Sequence, residues 1–255
     1  MSITLSIGTA HERDRMIDWL RREAIDPQID LGERTIPIAL KRHPRARRLT
    51  LRLAPDGTEV RITLPSWCAS KEALAFVHAR KDWLEGELAK IPERSPPEHG
   101  STIQFRGNEV IVEWDEGHPR RPKLKDNKVA VGGPKDGLER RLQRWLESEA
   151  RLLLQGDLEH YCAKAGVNLP GLALSRAQRR WGSCSTSGTV RINWRLVQAP
   201  DAVRRSVVAH EVAHLVHFDH SPAFKALLDQ LFEDDIQIAD QWLKNNGRIL
   251  YASFG

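Results

Sequence analysis

Residues 210–214 read His-Glu-Val-Ala-His, and no other run constrains this chain as tightly. Side chains four apart on a helix lie about 40° apart around the axis and roughly 6 Å along it. His210 and His214 can therefore grip one zinc ion from a single face, with Glu211 close enough to reach a water on it. The surrounding segment has the make-up of a buried helix. Pro200-Asp201 opens it, and Val208, Val212 and Leu215 form an i, i+4, i+7 stripe opposite the histidines. Ser221-Pro222 reads as the N-cap and first position of a further helix. The first helix must stop between His214 and Ser221, which leaves His220 at the turn, free to fold back toward the pair.

Three histidines leave a fourth coordination position for water, the arrangement of catalytic zinc rather than structural zinc. Neutral imidazoles preserve the ion's full charge, so its water acidifies toward a pKa of ~7. Glu211 would take the proton of that water as it attacks a carbonyl and pass it to the leaving nitrogen. Two side chains rival His220. His217 shares the face of His210 and His214, but on an unbroken helix it sits about 10 Å up the axis from His210. It is also a candidate donor to the oxyanion. Glu233, in the acidic cluster Glu233-Asp234-Asp235, ranks below His220. The spacing matches the metzincin pattern H-E-x-x-H-x-x-G-x-x-H except that His217 replaces the glycine, so the turn has to be made without one.

Two runs precede the motif, Arg180-Trp181-Gly182-Ser183-Cys184-Ser185 and Arg191-Ile192-Asn193-Trp194-Arg195-Leu196. Together with 208–224, in this order and spacing, they closely resemble the YgjP-like metallopeptidase family, zincins related to SprT-like proteases. Arg45-Ala46-Arg47-Arg48 and the strands after it resemble the family's amino-terminal part more loosely. The resemblance implies a zinc-dependent hydrolase with ligands His210, His214 and His220 and with Glu211 as the catalytic residue. It leaves the natural substrate open. The Gly182 turn and Trp181 read as the wall of a cleft, and Cys184 has no second cysteine near it with which to form a site.

The resulting fold class is α+β: a zincin-type region with the motif helix and a small sheet, preceded by an antiparallel β portion and helices. Strands are expected over 35–40, 48–53 and 59–64, with Pro55-Asp56-Gly57 as a turn. A helix capped by Ser70 follows over 70–91. A hairpin across Arg106-Gly107-Asn108 joins 102–105 to 109–114, a charged loop covers 115–128, and 129–131 is a short strand. A long helix runs over 138–165 and Gly166 ends it. Strands at 172–177 and 189–197 flank the turn-rich segment 182–188. Helices at 222–232 and 236–245 close the chain. The clearest linker is 92–100. The expected organisation is an extension over 1–33 with a short amphipathic helix at 13–24, a β-plus-helix portion over 34–92, and the metallohydrolase portion over 101–250. One compact unit over 34–250 is the alternative. No sequence repeat is visible.

Hydrophobic residues make up 40% of the chain and charged ones 29%, enough to bury a core. No apolar run approaches the ~20 residues of a membrane span, and residues 1–10 lack the basic and apolar regions of a secretory signal. Cys68, Cys162 and Cys184 are odd in number and scattered, which fits a reducing cytoplasm. The net charge of +5 is uneven: 34–67 holds eight Lys/Arg against Asp56 and Glu59. Arg42, Arg45, Arg47 and Arg48 are candidates for nucleic-acid contact or for a solvated sheet face. An aromatic content of 6% argues against an extensive base-stacking platform. Nothing in the sequence fixes the oligomeric state.

Two functions follow. The first is a zinc metallopeptidase using a Glu-activated, zinc-bound water. The second is a metal-dependent hydrolase of another substrate, such as a nucleoside triphosphate pyrophosphatase, with the Arg42–Arg48 cluster holding phosphates. For the peptidase, Val190, Ile192, Trp194 and Leu196 alternate with Arg191, Asn193 and Arg195, so 189–197 is expected to run beside the zinc as the edge of a peptide groove. Arg191 and Arg195 either face that groove, favouring acidic residues near the cut, or face solvent.

Overall fold

The computed structural model describes residues 27–91, 94–185 and 188–254. The helix expected over 13–24 lies outside them. The chain divides into two compact units, Met1–Ile91 and Pro92–Gly255.

In the first unit, β1 (Gln28–Leu31), β2 (Arg34–Arg42), β3 (Thr50–Leu53) and β4 (Val60–Leu64) form a sheet in the order β1-β2-β4-β3. Period-two patterning sets its faces: Val60, Ile62 and Leu64 are buried, while Arg61 and Thr63 are half-buried. Two helices, α1 (Ser70–His78) and α2 (Lys81–Leu88), complete the unit. Ala73, Val77 and Leu84 from them share one core with Ile29, Ile36, Ile38 and Ile62. Three expectations change here. The sheet is mixed rather than antiparallel, because β2 and β4 run parallel. The helix expected over 70–91 breaks at Ala79-Arg80. Its N-cap is Ala69 rather than Ser70, with Glu72 reaching back to accept from the Ala69 amide at 3.2 Å.

The second unit opens with β5 (Thr102–Phe105), β6 (Asn108–Trp114), β7 (Lys123–Lys125) and β8 (Lys128–Val131), in the order β5-β6-β8-β7. Here β6 and β8 are parallel and the other pairs antiparallel. Strand order and directions repeat those of the first sheet, although no sequence repeat marks the duplication. The helix α3 (Leu138–Ala165) has 28 residues and is about 42 Å long. Leu142, Trp145, Leu146, Ala150, Leu154 and Leu158 form its buried stripe. Gly166, at φ 67°, takes the left-handed conformation that ends it.

A three-stranded sheet follows, β9 (Gly171–Ser175), β10 (Gly182–Cys184) and β11 (Thr189–Asn193), in the order β10-β11-β9. The strand expected over 189–197 therefore ends early. Trp194–Gln198 is a 3-10 turn, capped by Asn193 Oδ1 accepting from the Arg195 amide at 3.1 Å. Three helices close the unit: α4 (Asp201–Val216), α5 (Pro222–Leu231) and α6 (Ile236–Asn246). Val208, Ala209, Val212 and Ala213 of α4 join Leu154 and Leu158 of α3 in the main core. No helix among the described residues is long and apolar enough to cross a membrane.

The first turn of α4 is held from several directions. The amides of Arg106 and Gly107, at the β5–β6 turn, donate to Val197 O and Gln198 O at 2.8 and 3.0 Å. A Cβ on Gly107 would lie 2.9 Å from Pro200 Cα, so the approach requires glycine. Arg106 Nε donates to both carboxylate oxygens of Asp201 at 3.1 and 3.0 Å. Arg204, only 3% exposed, bridges Asp201 on its own helix and Asp157 on α3, the latter at 2.7 Å.

Candidate metal centre

His210 and His214 lie on α4, one turn apart, and their rings are T-shaped with centroids 4.8 Å apart. The helix then stops at Val216. His217 caps it with φ −127° and ψ 109°, extended backbone open to any residue. The helix thus ends without the glycine of the metzincin pattern. Asp219 Oδ1 accepts from the Ser221 amide, and the Ser221 hydroxyl accepts from the Phe224 amide as N-cap of α5, with Pro222 next to it. The result carries His220 back over α4, with its Nε2 3.3 Å from His210 Nε2.

One nitrogen from each of His210, His214 and His220 lies within 4.8 Å of the others. These three are the group of potential metal donors found among the described residues. His214 Nδ1 lies 3.0 Å from His217 O. A carbonyl only accepts, so Nδ1 carries the proton and the Nε2 lone pair is left for a ligand. His217 thus contributes its carbonyl rather than its ring. Burial, and then the neighbouring His214 and His220, push the His210 pKa down to about 4. The ring is therefore neutral near pH 7, the form that binds metals.

The rivals fall elsewhere. Glu233 accepts from His160 Nε2 and Tyr161 Oη, each at 2.8 Å, and pairs with Arg205 and Lys164. Its carboxylate is absorbed in a network joining α3 to α4. Cys184 is half-buried, and burial followed by the charge of Glu211 raises its pKa, opposite to what a nucleophilic thiol needs.

Glu211 is 6% exposed, and its Oε2 has no hydrogen-bond partner among the described residues. Burial pushes its pKa up to about 7, against the Cys184 backbone N–H and the charge of Arg180, which lower it. Gly182 on β10 lies directly against this side chain: a Cβ there would be 2.7 Å from Glu211 Cγ and 2.8 Å from Cδ. The run 180–184 therefore builds the pocket of Glu211. Trp181 packs on Tyr251 and beside Gly247.

Two features escaped the sequence reading. Phe224, 2% exposed, floors the triad with its centroid 5.0, 4.5 and 4.9 Å from those of His210, His214 and His220. Its signal was its place three residues after the cap Ser221. Among the described residues, the small sheet ends beside Glu211 at β10, whereas β11 is paired on both sides. This overturns the groove expected along 189–197. Arg195 is 4% exposed, stacked between Trp194 and Tyr251, and donates to Phe254 O at 2.6 Å, so it faces no groove. In the first unit, Arg42 donates to Ser66 O, Cys68 O and Ser70 Oγ at 3.2, 2.6 and 3.1 Å, binding the chain after β4. Arg45, Arg47 and Arg48 are exposed.

An α+β chain that gathers three imidazoles on a helix carrying a buried carboxylate has the make-up of a metallopeptidase. The model of the YgjP-like, metallopeptidase domain family matches residues 47–246, most of the sequence, and the chain belongs to that family. No curated protein matches it. Among solved structures it is similar to the metallopeptidase zymogen of Pyrococcus abyssi abylysin, at 19% identity, a TM-score of 0.34, and coverage of 37% of this chain and 96% of that one.

Proposed function

We propose that this chain is a zinc metallopeptidase in which His210, His214 and His220 hold the ion and Glu211 moves the protons of the reaction. The observation that carries the reading is the buried Oε2 of Glu211, without a hydrogen-bond partner among the described residues, on the helix that supplies two of three convergent imidazoles. The donor set fits zinc. Nitrogens ~2.0–2.1 Å from a tetrahedral zinc lie about 3.3–3.4 Å apart, and the His210 and His220 Nε2 atoms are 3.3 Å apart. The His217 carbonyl on His214 is the outer partner that such a ligand needs. Bound there, zinc supplies Lewis-acid polarisation of the scissile carbonyl and acidification of water.

The chain's own residues do the rest. Glu211 accepts a proton from the attacking water and returns it to the leaving amine. A pKa raised by burial suits a group that must be base and then acid. Gly182 and the Cys184 amide hold the carboxylate in place. The outer edge of β10 can pair with an extended peptide, giving affinity from backbone hydrogen bonds and little sequence preference. Three cysteines without disulfides fit the reducing cytoplasm. Nucleic-acid contact through Arg45, Arg47 and Arg48 rests on their exposure and charge, with Arg42 already holding backbone carbonyls.

The test is purified protein assayed for metal content and for hydrolysis of an unfolded protein, with Glu211→Gln alongside. We expect about one zinc per chain in both proteins and hydrolysis lower by roughly 10²-fold in the variant. Undiminished hydrolysis in Glu211→Gln at equal zinc would end the reading.

A further inference from the structure

A cavity of about 820 Å³ opens between the first half of α3 and the segment 120–124, and no residue of the histidine centre lines it. Arg106, Arg120, Arg121, Lys123, Arg141 and Arg144 line it, against the one carboxylate of Glu149. Arg106 is neutralised by Asp201. None of the ion pairs among the described residues includes any of the other five. Five cations around one hollow outnumber its single carboxylate and repel each other, and an anion placed among them relieves that repulsion.

One of the five is set in place beforehand, and the stem of a second packs against the backbone. Gly133, at φ 86°, lies so close to Arg120 that a Cβ there would be 3.1 Å from Arg120 Cγ. Arg141 donates to Pro134 O at 2.7 Å. Arg141 and Arg144 are three apart on α3, so they share a face. Guanidinium groups match phosphate oxygens in paired hydrogen bonds. The floor is apolar. Trp145 packs on Phe105 with ring centroids 5.0 Å apart, and both are 8% exposed, so neither offers an open face for bases to stack on. The volume is that of an open pocket sized for one small molecule, and with no stacking face this favours a compact polyanion over a polynucleotide.

We propose that this cavity binds a small oligophosphate, a ligand with two or more phosphates in a row, such as inorganic tripolyphosphate or the triphosphate tail of a nucleotide.

The experiment is calorimetric titration of the full chain with tripolyphosphate, orthophosphate, a nucleoside triphosphate and a single-stranded oligonucleotide. The variants are Arg121→Glu/Arg144→Glu and His210→Ala. Tripolyphosphate should bind at least tenfold tighter than orthophosphate and raise the unfolding temperature. The double charge reversal should weaken it at least tenfold, and His210→Ala should leave it unchanged. If the double variant does not fold, Arg121→Ala, at an exposed position, should still weaken binding severalfold. A nucleoside triphosphate tighter than tripolyphosphate marks a nucleotide as the source, and equal affinity marks the phosphate chain alone. The proposal is overturned by equal binding in wild type and charge-reversed protein, by loss of binding in His210→Ala, or by binding of the oligonucleotide without the oligophosphates.

Discussion

Gly182 and Glu211 share one space: the carboxylate side chain lies where any larger residue at 182 would put its Cβ, 2.7 Å from Glu211 Cγ. Residues far apart in the chain thus depend on each other for the position of a single carboxylate.

Gly182→Ala should therefore displace Glu211 while leaving the histidines in place. A shift of this size near reacting atoms costs up to about 10²-fold. We expect zinc content near wild type and kcat/KM lower by tenfold or more. An unchanged kcat/KM for peptide hydrolysis would show that the carboxylate tolerates the move.

His220→Ala should lose most of the zinc, because it removes the donor that faces His210 at 3.3 Å. His217→Ala should keep it, since only the backbone carbonyl of residue 217 meets His214. Glu233→Ala should also keep it. Elemental analysis of the three variants decides, and zinc loss in Glu233→Ala with full occupancy in His220→Ala would reverse the ligand assignment.

Acid should weaken the fold partly through Glu233. Burial alone would raise its pKa, but hydrogen bonds from His160 and Tyr161 and the charge of Arg205 outweigh it and hold the value near 2. The ordinary value is 4.5, so the ionised form is favoured by folding. The contribution is complete above about pH 4.5 and disappears as pH falls through about 2. Urea unfolding midpoints measured from pH 6 to 2.5 should fall less steeply below pH 4.5 in Glu233→Gln than in wild type. Parallel profiles would remove Glu233 as a source.

Arg204→Ala should destabilise the second unit by about 3 kcal/mol, the lower part of the range for breaking a buried ion pair. Its side chain is 3% exposed and it leaves Asp157, 11% exposed, with only Arg205 at 3.8 Å. Denaturant titration checks this, and a loss under about 1 kcal/mol would mean that Arg205 takes over.

The histidine pair was legible because helix geometry is local, and His220 because Ser221-Pro222 announced the next helix two residues away. What lay beyond the sequence was long-range. Nothing in the residues around Gly182 tells that Glu211 fills the space above it. The alternation from Val190 to Leu196 suits a strand, and the chain leaves it at Asn193 because that side chain caps the following turn. Asn is a common cap, so the signal was present but outweighed by the pattern. β7 has every residue exposed, so no alternation could reveal it. The break at Ala79-Arg80 has neither proline nor glycine to mark it. β1, by contrast, carried a readable signal: Ile29 and Leu31 alternate before Gly32, and Ile36 and Ile38 alternate after it.

α4 behaves as a beam clamped at two places. Arg106, Gly107 and Arg204 fix its root at Asp201, and Val208, Ala209, Val212 and Ala213 seat the turns that carry His210 and His214 in the main core. His210 lies nine residues, about 13 Å, along it from the root. A beam held at both points resists tilt, so residues that never touch the histidines still set where the histidines stand.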